Sequence, residues 1–159
     1  MPVAPDASVT SPAELILAFD FGERRIGVAV GNTGTRTATA LGVLPARGTP
    51  DWEAVSRCVR QWSPGRAVVG LPYNMDGSET ALTVTCREFA AELSKRYQLP
   101  VDLVDERLTS SAAHADLRDA RRTGARRRRV RREDIDANAA RLILESWLEH
   151  SIRPGGSTT

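Results

Sequence analysis

A mixed α/β sheet, with an antiparallel three-strand meander followed by parallel strands and helices on both faces, is the fold class predicted by this 159-residue sequence. Three observations carry it. Three short apolar runs follow one another near the start with only Gly-containing turns between them. Further on, apolar runs alternate with helix-length amphipathic segments, the rhythm of parallel strands joined by crossover helices. The first run is also apolar on both sides, as a central strand must be.

Taken in order, Leu15 to Phe21 (LILAFDF) is the first strand, with Leu15, Leu17, Phe19 and Phe21 on one face and Ile16, Ala18 and Asp20 on the other. Arg25 to Val30 and Thr37 to Leu44 complete the meander. Asp51 to Trp62 reads as a helix with Asp51 near its start, and Arg66 to Leu71 as a buried strand. In the loop GLPYNMDGSET, Asp76-Gly77 marks a tight turn and Ser78 is the expected cap of a helix running from Glu79 to Tyr97. That loop reads as a plain strand-to-helix connection, although a glycine-containing loop feeding a helix also lets a phosphate approach. Val101 to Val104 is the next strand, Ser110 to Ala120 a helix capped by Thr109, and Asp134 to His150 the last helix. Residues 1–13 and 153–159 are rich in Pro, Gly, Ser, Thr and Ala and are expected to be disordered tails around one domain spanning 14–152.

Hydrophobic residues at 41% and charged residues at 26% exclude wholesale disorder and fibrous repeats. No apolar stretch is long enough to span a bilayer and the first residues lack a signal-peptide pattern, so a cytoplasmic protein without membrane contact is expected. Cys58 and Cys86 sit in no CxxC or CxxH pattern and are read as reduced thiols in helices. The net charge of +2 hides an asymmetry: Arg118 to Arg132 holds nine arginines and one acid, a local +8, which leaves −6 for the remainder. A mildly acidic body with one basic arm suits a protein that grips phosphate with the arm and keeps its carboxylates elsewhere.

Those carboxylates are the candidate chemistry. Asp20 lies within a strand that is otherwise apolar, and an ionised carboxylate buried there needs a cation, a donor set or a metal. The bland alternative is a salt bridge to Arg24 or Arg25. Asp105 and Glu106 arrive where an apolar parallel strand runs out, the end at which α/β proteins build sites. Thr109 beside them opens a helix start whose free N–H groups can take an anion. Asp136 shares a face of the last helix with Ala140, Ile143 and Trp147, so it looks toward the sheet. Converging acids without His or Cys nearby invite Mg²⁺ or Mn²⁺. Two such ions about 4 Å apart can activate a water and stabilise the leaving oxygen of a phosphodiester.

AFDFGERRIGVAVGN, TPDW, VVGLPYNMDGSET, VDERLTSSAA and IDANAARLILESWLE, five blocks in order over Leu15 to His150, resemble the YqgF family, the RuvX-type Holliday junction resolvases of the RNase H-like superfamily. The resemblance implies an RNase H-like fold and metal-dependent phosphodiester hydrolysis, with 5′-end processing of the 16S rRNA precursor as the main activity and resolution of branched DNA as the alternative. It implies Asp20, Glu106 and Asp136 as catalytic and metal-holding acids, with Asp105 as a less certain ligand. Arg25, Arg107 and Thr109 are the expected phosphate contacts, joined by Arg126, Arg127, Arg128 and Arg129 of the basic arm. Expected partners are precursor rRNA or branched DNA and the small ribosomal subunit, for a monomer or a homodimer. Two rivals stand beside this reading. DFGxxxIGVAV also resembles the first phosphate loop of actin-like ATPases, which need a second domain for which this chain has no room. A non-catalytic RNA-binding assembly factor could keep the fold and use only the arginine arm.

Overall fold

The computed structural model describes residues 13–109 and 132–151. Five strands form one sheet in the order β3-β2-β1-β4-β5: β1 Leu15–Phe21, β2 Arg25–Asn32, β3 Thr37–Pro45, β4 Arg66–Leu71 and β5 Val101–Asp105. The first three pair antiparallel, and β4 and β5 add to β1 in parallel, as the sequence pattern predicts. Central β1 is therefore flanked by β2 and β4, and its two faces are apolar because helices pack on both.

Helices cover both faces. Helix α1 (Trp52–Trp62) begins where the Asp51 carboxylate accepts hydrogen bonds from the N–H groups of Glu53 and Ala54, at 3.1 and 3.2 Å. Helix α2 (Ala81–Tyr97) is capped by Thr80, whose hydroxyl accepts from the Thr83 N–H while Thr83 reaches back to the Thr80 N–H. The expected cap, Ser78, serves the preceding turn instead: its N–H and hydroxyl both donate to Asp76. The correction follows from competition, because Asp76 claims Ser78 locally and the next threonine takes the helix end. Leu17, Phe19 and Phe21 of β1 pack with Val55 of α1 and Phe89 and Leu93 of α2.

The other face belongs to α3 (Arg132–Ser151), whose Ala140, Ile143, Leu144 and Trp147 meet Ile16 and Ala18 of β1, Ala29 of β2 and Val68 of β4. Its far end is pinned to edge strand β5 by Trp147 Nε1–H, which donates to Asp102 at 2.7 Å, while Arg66 donates to the same carboxylate at 3.2 Å. The expected helix over Ser110 to Ala120, the arginine arm and both tails lie outside the described residues. Among the described residues no helix is long and apolar enough to cross a membrane.

Candidate active site

Parallel pairing sets the carboxyl ends of β1, β4 and β5 side by side, and the acids gather there. Asp20 shares a β1 face with Ile16 and Ala18, the face that α3 covers. Glu106 opens a single 3-10 turn, Glu106–Leu108, directly after β5. Asp136 comes from the start of α3.

Two glycines bring these elements close. Gly27 stands opposite Asp20 in the β1–β2 ladder, and a Cβ there would overlap the backbone carbonyl of Asp136. The missing side chain lets α3 rest on the backbone of β2 beside Asp20. Gly70 does the same on β4: a Cβ would lie 2.5 Å from the Ile143 side chain and 2.8 Å from Glu106 Oε2. Sequence reasoning passed over both. The signal was present, since a glycine inside a strand loses packing and conformational order unless another group comes close.

Burial, then the charges of Glu106 and Asp136, push the Asp20 carboxyl well above the usual carboxylate range. Burial also raises Glu106, whose charge faces Asp20. Asp136 is compensated separately: Arg25 Nε donates to it at 2.8 Å. Thus Arg25 pairs with Asp136 and not with Asp20. Among the described residues no three His, Cys, Asp or Glu side chains form a ready metal cage, and Asp136 is bonded to Arg25.

Neighbouring acids 105 and 106 differ in what they touch. Asp105 accepts from the backbone N–H of Arg107 at 2.9 Å, from its Nε at 3.0 and 3.1 Å and from its Nη2 at 2.6 Å. These bonds hold the Asp105 carboxyl below its ordinary value. Thr109 is buried, and its hydroxyl donates to the Glu106 carbonyl at 2.8 Å, closing the turn that presents Glu106. Arg126, Arg127, Arg128 and Arg129 lie outside the described residues.

Cys86 of α2 is buried, and burial with the charges of Glu106 and Asp20 pushes its thiol up to about 12. Cys58 of α1 is half-buried and also raised by burial. Both thiols stay protonated at neutral pH and have no nucleophilic part in the site. Alkylation by iodoacetamide at about pH 8, read by mass spectrometry, is expected to spare Cys86 until the chain unfolds and to reach Cys58 only slowly. Fast labelling of Cys86 in the native protein would contradict this packing.

Comparison with known proteins places this architecture. A relative from Coxiella burnetii is 46% identical over 136 residues, covering 85% of this chain and 92% of its own. One from Chromohalobacter salexigens is 48% identical over 134 residues, covering 84% of this chain and 88% of its own. The names of both propose them as pre-16S rRNA nucleases. Among solved structures, T. thermophilus RuvC in complex with a Holliday junction substrate aligns with a TM-score of 0.51 at 15% identity, covering 86% of this chain and 96% of its own. The fowlpox virus Holliday junction resolvase aligns with a TM-score of 0.52 at 14% identity, covering 87% of this chain and 99% of its own. At such identity these two show a shared fold, the RNase H-like sheet. The family model described as RuvX, Holliday junction resolvase, matches residues 14–150, and the chain belongs to that family.

Proposed function

We propose that this protein is a metal-dependent nuclease that hydrolyses phosphodiester bonds at the 5′ end of the 16S rRNA precursor. The observation that carries the reading is Asp20 facing the charges of Glu106 and Asp136, a surplus of negative charge at the carboxyl end of parallel strands. The relatives named for pre-16S rRNA support RNA as the substrate.

The residues present suit a hard divalent cation. Their donors are all carboxylate oxygens, which favour Mg²⁺ or Mn²⁺, and a cation would relieve the repulsion that raises Asp20. Asp20, Glu106 and Asp136 would hold two ions. When bound, such ions supply an activated water and neutralise charge on the phosphate. The chain contributes the rest. The guanidinium groups of Arg25 and Arg107, next to Asp136 and Glu106, bind non-bridging phosphate oxygens. Arg126 to Arg129 add affinity along the backbone of the nucleic acid.

A second reading, resolution of branched DNA by a two-fold pair of subunits, is favoured by the family description. Cleavage of a synthetic precursor rRNA and of a four-way DNA junction, side by side with Mg²⁺, Mn²⁺ or EDTA, separates the two. Metal-dependent cutting of the RNA supports the proposal. Cutting of the junction alone moves the substrate to DNA, and RNA binding without any cleavage leaves an assembly factor. Replacing Arg126 to Arg129 by alanine should weaken RNA binding and flatten its dependence on log salt by up to about 3 units. An unchanged slope would remove the arm from the binding surface.

A further inference from the structure

We propose that Asp105 and Tyr73 form a seat that orients Arg107 toward a phosphodiester of the substrate strand, with Asp105 a positioning residue and not a metal ligand. The identity of the ligand rests on the nuclease reading; the seat itself is built from groups described here.

Both Asp105 oxygens are committed. Oδ1 accepts from the Arg107 backbone N–H and Nε, and Oδ2 from Nε and Nη2. A second wall comes from the β4–α2 loop. The Tyr73 ring lies 5.2 Å from the Arg107 guanidinium carbon, within cation–π range. Tyr73 is itself fixed: Arg87 Nη2 donates to its hydroxyl at 2.8 Å and to Glu79 at 2.6 Å. The loop is closed behind it by the Tyr73–Glu79 bridge and by the Asn74 side chain donating to Ser78. Gly77, at φ +90, makes the turn beside Arg107, where a Cβ would only touch Nη1 at 3.4 Å.

The guanidinium is thus held by one edge and one face while the other edge is unspent. Among the described residues Nη1 makes no hydrogen bond, and the side chain is 40% exposed. An arginine serving only to tie loop to strand would turn its remaining donors to protein acceptors. Here Nη1 makes no such bond, with only the charge of Asp76 in the β4–α2 loop acting on the guanidinium from that side, one residue after Glu106, whose charge faces Asp20. A planar fork held by a carboxylate on one side and offering donors on the other matches the oxygens of a phosphate. Fixing it beforehand lowers the ordering cost of binding.

Charge and orientation make opposite predictions here. Asp105 is an anion near a site for a polyanion, so by charge alone its removal tightens binding. Asp105→Asn and Asp105→Ala lose the same charge, but only the amide keeps an acceptor for Arg107. Dissociation constants for a fluorescent RNA oligonucleotide in EDTA are therefore expected to be about fivefold weaker for the alanine variant than for the asparagine variant. In an Arg107→Ala background that difference should shrink to within about twofold. Stabilisation by Mn²⁺, read as a melting-temperature shift, should survive both substitutions.

Equal affinities for the two variants would overturn the proposal. So would a difference that persists without the Arg107 side chain, which would assign Asp105 only to bonding the backbone N–H of the 3-10 turn. Loss of the Mn²⁺ shift would make Asp105 a metal ligand and equally overturn it. A wild type that binds RNA but cuts neither RNA nor DNA would sink the nuclease reading alone, since the seat is tested by binding.

Discussion

Asp20→Asn is expected to lower metal-dependent cleavage by on the order of a thousandfold while raising the melting temperature of the metal-free protein by about 3 °C at neutral pH. The two effects have one cause. In the metal-free fold Asp20 is partly desolvated and faces the charges of Glu106 and Asp136, so its charge opposes folding. Asparagine keeps the size, removes the charge and gives Glu106 a donor. The native carboxyl lies above its unfolded value, so between those two values the folded state binds more protons and stability from this group falls as pH rises. The variant's advantage should therefore be small near pH 4 and grow toward pH 8. Mn²⁺ should reverse the order by stabilising the wild type and leaving the variant unmoved. Calorimetry across pH, with and without Mn²⁺, reads all of this. A variant that melts below the metal-free wild type at pH 8, or that cleaves normally, would remove Asp20 from the role assigned to it.

Gly27→Ala carries the second large effect, and it acts through the backbone. The added methyl would overlap the Asp136 carbonyl, which cannot rotate aside as a side chain can, so the first turns of α3 must lift from β2. Overpacking of this kind costs roughly 3 kcal/mol, about 10 °C in melting temperature for a chain of this size. Asp136 leaves with the helix, so cleavage should fall as well, even in molecules that remain folded. Gly70→Ala is the contrast. Its methyl meets the ends of two side chains, Ile143 and Glu106, which can move. Thermal stability should then drop by only about 1 kcal/mol while Glu106 is displaced and activity is lost. If Gly27→Ala melts within about 2 °C of the wild type, the close approach of α3 to β2 is wrong.

Much of this was legible in the residues. The period-two run LILAFDF set β1 and the side of the sheet on which Asp20 falls, and β4 was read at its observed bounds. The spacing of Asp136, Ala140, Ile143 and Trp147 anticipated the α3 stripe, of which Ala140, Ile143 and Trp147 are buried against the sheet. The end of α2 was less legible, because Ser78, Thr80 and Thr83 all have hydroxyls suited to capping, and only the turn at Asp76 decides which is free.

Alternation and helical spacing are local properties of the chain, so the sequence by itself determined the order of the strands and helices among the described residues, the faces they bury and the sheet end at which Asp20 and Glu106 emerge. It also named the acids, since few groups besides carboxylates suit such a position. The assignment of roles among neighbours required the folded chain. Asp105 and Glu106 are adjacent and chemically alike, yet one grips Arg107 and the other meets Asp20; Arg25 could have reached Asp20 but holds Asp136. Such choices depend on distances of a few ångströms between elements far apart in sequence, set here by the absent side chains of Gly27 and Gly70. Charge and hydrogen bonding act only at that range, and no pattern along a single chain encodes it.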